Sequence, residues 1–281
     1  MSLRDVTANF NYGLSLDEYS EKYSHCLIFD REDGILTVRT HTDGGRCHLT
    51  LENHHAIGQA WVDIGRDPEN EVVIVTGTDG DFFDINEHLA DGTFPNKCTP
   101  DDVYQISYSD TMWLFEKFLF NIEVPTIAAL CTSDRTPVAH VEVPYVCDIV
   151  LCSEATTFGD IHFSMPANPG MGIPCGDGQA LALEELIGHR RMSYLAYTGE
   201  FIDAQKALEW GIVNEVLPQD EVLPRAKELA RKIIASAPSI SRKLQAQLVK
   251  RPWKQRLVND LQNHISHEMF AIMALSNERK K

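Results

Sequence analysis

Three short, predominantly apolar runs constrain this chain more than any other feature. They are Val72-Val73-Ile74-Val75-Thr76, Pro125-Thr126-Ile127-Ala128-Ala129-Leu130 and Cys147-Asp148-Ile149-Val150-Leu151-Cys152. A strand reads this way, without a polar alternate, when both faces of its sheet are covered. Helical patterns lie between the runs. In residues 51–64, Ile57, Trp61 and Ile64 recur at helical spacing and His54 shares their face, while His55 points away to solvent. Thr99-Pro100-Asp101-Asp102 predicts a helix start capped by Thr99, running to about residue 121 with Ile106, Met112, Leu114, Phe115 and Phe118 in the core. Upstream, Ser15 opens a short polar helix expected on the outside, and Asp33-Gly34 between two β-rich runs predicts a hairpin. From Gln219 onward the pattern is helical, broken at Ala237-Pro238 and Arg251-Pro252. Strands alternating with helices, then helices alone, predict an α/β core over residues 1–218 and a C-terminal helical region over 219–281.

Charge narrows the partners. With 25 Lys+Arg against 41 Asp+Glu, the net charge of −16 repels phosphate backbones and anionic lipid, so neither nucleic acid nor a membrane is expected. No run approaches 18 apolar residues and the first residues lack a signal-peptide core. The 7 cysteines are odd in number, form no CxxC pair and in part sit in apolar runs, which predicts reduced thiols and a cytoplasmic protein.

Candidate chemistry gathers between His140 and Asp177. His140 stands at a turn, His162 follows the third apolar run, and Asp177 sits between Gly176 and Gly178. Two imidazoles and a carboxylate at the ends of buried elements are the parts of an acid–base site. Each has a plainer reading: Asp177 as a helix cap, His54 as a core histidine, Glu268 as a solvated residue on a polar helix. No HExxH, GxGxxG or GxxxxGK[ST] spacing occurs, so neither a metal nor a nucleotide cofactor is expected.

Several segments together resemble the crotonase (enoyl-CoA hydratase/isomerase) superfamily. They are Glu71 to Gly77 with Phe82-Phe83, Val124 to Leu130, Cys147 to Cys152 with Phe158-Gly159, and Tyr197-Thr198-Gly199-Glu200 with Gly211-Ile212-Val213-Asn214-Glu215-Val216. The resemblance implies an α/β spiral of ββα units with a C-terminal helical oligomerisation region, assembled as a homotrimer or a dimer of trimers. Apolar Ile265, Met269, Phe270, Ile272 and Met273 exceed what a lone cap needs.

The departures from that pattern carry the function. Where a CoA-using member has a Gly-rich turn supplying an oxyanion-hole amide, this chain reads Pro137-Val138-Ala139-His140-Val141-Glu142-Val143-Pro144. Side-chain donors in place of backbone N–H groups weaken thioester chemistry. The 6-oxocamphor hydrolase and β-diketone hydrolase branch is similar in this respect. It implies His162, Asp177, His140, Glu268 and His54 as catalytic residues, with His48, Leu49, Phe82 and Phe83 at the substrate. Leu49 replaces an expected tryptophan, and the run from Met165 to Met171 is longer than the branch pattern. The activity implied is CoA-independent hydrolysis of a carbon–carbon bond in a small-molecule 1,3-diketone. The alternatives are acyl-CoA hydration or isomerisation and a non-catalytic binding protein.

Overall fold

Asp33 and Gly34 turn the first hairpin with φ of 51° and 81°, the two positive values that suit the twist of the flanking strands. The hairpin joins β1 (Leu27–Glu32) to β2 (Ile35–Thr40) in antiparallel register, with Glu32 opposite Ile35. This computed structural model describes residues 13–48, 51–78, 99–105, 111–132, 142–160, 162–163 and 172–278. Among them are eight strands and eleven helices.

After β2 come β3 (Val72–Thr76), β4 (Thr126–Leu130), β5 (Ile149–Ser153), the short β6 (Thr157–Phe158) and β7 (Ile202–Asp203), and β8 (Glu215–Leu217). The main sheet runs β1-β2-β3-β4-β5-β8, parallel from β2 onward, while β6 and β7 form a separate antiparallel pair. All five residues of β3 and of β4 are buried, because helices cover both faces. On one face Val73, Val75, Ala128 and Leu130 meet Ile57 and Trp61 of α2 (Leu51–Arg66, α1 being Leu16–Lys22). Val72, Ile74, Ile127 and Ala129 point the other way, to Val222, Ala226 and Ala230 of a helix spanning Gln219–Ser236. Alternate residues of each strand thus enter two different cores.

In α2 the expected face is buried, with Ile57 and Trp61 at 0% and His54 at 6% exposure, and His55 is exposed beside the Trp113 ring. The outer helix α1 is less superficial than its polar sequence suggests: Tyr19 is fully buried and its hydroxyl donates to Asp67 at 3.0 Å. Of the helix expected from Pro100 to about residue 121, the described residues give α3 (Pro100–Val103) and α4 (Thr111–Asn121). Ile106 lies outside the described residues.

The remaining helices are α5 (Glu142–Tyr145), α6 (Gln179–Ile187), α7 (His189–Thr198), α8 (Ala204–Trp210), α9 (Gln219–Ser236), α10 (Ser239–Val249) and α11 (Arg251–Glu278). Pro252 stands in the first turn of α11, where its missing N–H costs nothing. Lys250, between α10 and α11, is fully buried; its ammonium donates to the carbonyls of Ile122 at 3.0 Å and Val124 at 2.8 Å and lies 3.5 Å from Asp148. That staple fixes where α11 begins relative to β4 and β5.

Of the apolar residues on α11, Ile265, Met269 and Ile272 pack internally against Val103 and Ile173. Phe270 is 77% exposed and Met273 39%. Much of the apparent surplus therefore serves this chain's own core. Among the described residues, no helix is long and apolar enough to cross a membrane.

Candidate active site

The segment that follows β6 at Phe158 and the segment that precedes α6 are tied to each other. Gln179 Nε2 donates to the Gly159 carbonyl at 2.6 Å, and the Ile173 N–H to the His162 carbonyl at 3.1 Å. Residues Met165 to Met171 lie outside the described residues.

Within these segments, Asp160, His162 and Asp177 are each at most 3% exposed. Asp160 Oδ1 accepts the His162 backbone N–H at 2.9 Å and stands 3.2 Å from the ring's Nδ1. On the opposite edge, His162 Nε2 is 3.4 Å from Asp177 Oδ2. The other Asp177 oxygen accepts the Gln179 N–H at 3.0 Å. The expected cap is thereby shifted: Gly178, with φ of 106°, is the N-cap of α6, and Asp177 reaches past it. A Cβ on Gly178 would meet Phe115 at 2.4 Å, so no other residue fits both the turn and the packing.

From the far end of the chain, α11 delivers Glu268, 5% exposed, whose Oε2 accepts the Gly176 N–H at 3.0 Å. The contact is close: a Cβ on Gly176 would lie 2.5 Å from Glu268 Cβ and 2.5 Å from the His264 carbonyl. On α5, Tyr145 is 1% exposed, and its hydroxyl has no hydrogen-bond partner among the described residues. A buried donor left unmade costs about 1–3 kcal/mol, which marks the position as prepared for an acceptor.

Electrostatics follow from this crowding. Burial alone would depress the His162 imidazolium, but Asp177, Asp160 and more distantly Glu268 hold it well above its ordinary value. Asp160 is the reciprocal case: burial raises it, and the His162 charge and bonds bring it below the usual carboxylate range. Burial, reinforced by Asp160, Glu142 and Asp177, keeps the Tyr145 phenol protonated. Burial, reinforced by Asp160, Asp177 and Glu268, does so for the Cys175 thiol. The surroundings favour the charged form of the ring between its two carboxylates, with a phenol in the same field. One oxygen or nitrogen each from Asp160, His162 and Asp177 falls within 4.8 Å of the others. Both ring nitrogens already face a carboxylate, so the trio is built to hold protons.

The structure thus brings together His162, Asp177 and Glu268 of the residues singled out in the sequence. His54 is buried on α2. His48 is half-buried, donates its N–H to Thr42 Oγ1 at 3.0 Å, and receives Asn53 of α2 on its carbonyl. His140, Leu49, Phe82 and Phe83 lie outside the described residues. Asp160 and Tyr145 escaped sequence reasoning. The Gly159-Asp160-Ile161-His162 order was a usable signal, since an aspartate bonds readily to an N–H two residues on.

Comparison with known proteins agrees with this architecture. The sequence profile of the enoyl-CoA hydratase/isomerase family matches residues 30–281. A carnitinyl-CoA dehydratase of Salmonella paratyphi A is 30% identical over 193 residues, 68% of this chain and 67% of that protein. Among solved structures, a β-diketone hydrolase from the cyanobacterium Anabaena, bound to (S)-3-oxocyclohexyl acetic acid, is 30% identical with a TM-score of 0.82, covering 93% of this chain and 99% of its own. The enoyl-CoA hydratase of Bacillus anthracis, at 21% identity and a TM-score of 0.67, shares the fold over 90% of this chain and 89% of its own. A parallel sheet covered on both faces, a C-terminal helical region, and a match over residues 30–281 place this chain in the enoyl-CoA hydratase/isomerase family, the crotonase superfamily.

Proposed function

We propose that this protein is a CoA-independent hydrolase that cleaves a carbon–carbon bond of a small, cyclic 1,3-diketone in a retro-Claisen reaction. The observation that carries the reading is the buried Asp160–His162–Asp177 array with Glu268 beside it. The Anabaena diketone hydrolase, with a keto acid bound, supports it.

A charged His162 is an acid before it is a base, so in this reading Asp177 takes the first proton. Water's oxygen bonds one carbonyl carbon, its proton passes to Asp177 Oδ2, and the carbonyl π pair becomes an oxyanion. His140 and Tyr145 donate hydrogen bonds to that oxygen. The C=O re-forms as the bond to the central carbon breaks, and its electron pair becomes the enolate of the second ketone. His162 gives its Nε2 proton to the enolate carbon and recovers one from Asp177 across the 3.4 Å contact. One diketone and one water yield one keto acid. His54 and Glu268 position water and substrate, and His48, Leu49, Phe82 and Phe83 line the substrate's path. Exposed Leu244, Leu248, Val258 and Phe270 on α10 and α11 support assembly as a homotrimer or dimer of trimers.

The test is turnover of a panel of cyclic 1,3-diketones, read as loss of diketone absorbance and appearance of a keto acid. No turnover by folded protein across the panel overturns the reading. The carnitinyl-CoA dehydratase similarity favours a second one, acyl-CoA hydration or isomerisation. That reading predicts a thermal shift with CoA or acetyl-CoA, and the diketone reading predicts none.

A further inference from the structure

We infer that Asp160 is a positioning residue for His162, gripping the imidazole by its Nδ1 edge so that Nε2 is presented to Asp177 and to an incoming ligand. Three observations carry this. Asp160 Oδ1 makes two contacts with one residue, 2.9 Å to the backbone nitrogen and 3.2 Å to Nδ1, so main chain and ring are fixed to the same oxygen. The grip is dry, with side-chain exposures of 1% for Asp160 and 4% for His162. The base of the turn is anchored independently by Gln179 on the Gly159 carbonyl and by Ile173 on the His162 carbonyl. A ring held at Nδ1 by an acceptor must carry its proton there, which fixes the tautomer available at Nε2. Asp160 thus decides which nitrogen works, and Asp177 is the group from which Nε2 recovers its proton.

The role has a competitor: Asp160 as an ordinary turn residue whose contact with Nδ1 is incidental. Asp160→Asn separates the two, because the amide oxygen still accepts the backbone N–H while the negative charge is lost. The groups that set His162's proton affinity are Asp160, Asp177 and Glu268; Cys175, Tyr145 and Glu142 lie around them, and all but Asp160 stay in place.

The experiment has two arms on the full-length protein. In the first, 15N-histidine labelling follows the His162 ring nitrogens through a pH titration, which needs no substrate. The positioning role predicts that in Asp160→Asn the ring titrates at lower pH than in wild type. In the second, which rests on the diketone reading, kcat falls by about 10²-fold with KM little changed, and the pH profile moves with the NMR titration. Should Asp160→Asn fail to fold, Asp160→Ser carries both arms, its hydroxyl serving as the turn acceptor. An unchanged His162 titration in a folded variant overturns the proposal, whatever happens to stability. If wild type turns over no diketone, the functional reading falls, and the NMR arm still decides the role of Asp160.

Discussion

Gly176→Ala tests the join between α11 and the loop that carries Asp177. The added Cβ would stand 2.5 Å from both Glu268 Cβ and the His264 carbonyl oxygen. The second of these atoms belongs to a helix backbone and cannot swing aside. To reach ordinary contact at about 3.4 Å, loop or helix must retreat by roughly 0.9 Å. Overpacking of this kind costs about 1–3 kcal/mol. The retreat also stretches the Gly176–Glu268 hydrogen bond from 3.0 Å, and hydrogen bonds to charged groups contribute about 1.5–3 kcal/mol. A total of roughly 2–5 kcal/mol, allowing for partial relaxation, is expected in urea denaturation. Because Asp177 is the next residue, the same displacement disturbs its contact with His162, and misplacement of about 1 Å can cost about 10²-fold in rate. A variant within about 0.5 kcal/mol of wild type, with diketone turnover intact, would show that the join does not fix the site.

Asp177→Asn removes the proposed proton acceptor and should lower kcat on diketones by about 10²–10⁴-fold, read in the same turnover assay. Tyr145→Phe deletes a buried hydroxyl without a partner among the described residues; stability should hold or rise, while kcat falls if the phenol donates to the oxyanion. The raised His162 value gives a signed pH effect. Its stabilisation is full below the unfolded imidazole value of about 6.5 and is lost as pH rises through the folded value, by at most about 1.4 kcal/mol per pH unit. Urea midpoints measured upward from pH 6 should therefore fall in wild type and fall less in His162→Gln. Lys250→Met leaves Asp148 and two carbonyls without their buried cation and should cost about 3–5 kcal/mol in the same denaturation experiment.

The parts of the fold legible in the sequence are those where local chemistry and tertiary demand coincide. Asp33-Gly34 satisfies its turn with its own backbone preference, and the β3 and β4 runs are apolar throughout because helices cover both faces of the sheet. In the site, His162 and Asp177 stood out by residue type. Their distance depends on the Gln179 and Ile173 bonds that tie the two segments together, bonds that no periodicity announces. Asp160 was hidden for a related reason, since a loop aspartate is ordinary until its side chain is seen folded back on the ring. The α11 apolar residues divide in a way no spacing shows, as Ile265, Met269 and Ile272 fill this chain's own core while Phe270 stays exposed.

The Gly176–Glu268 bond also has a meaning in time. Its partners are separated by 92 residues; at about 5–20 residues added per second, Glu268 is made roughly 5–18 s after Gly176. A nascent chain can pair its parallel strands and place His162 near Asp177 well before α11 exists. During that interval the loop lacks the carboxylate that holds its backbone, and the face destined for Ile265 and Ile272 stays uncovered. The loop therefore gains its α11 contact last, and a chain stalled or cut before residue 268 would lack the Gly176–Glu268 bond.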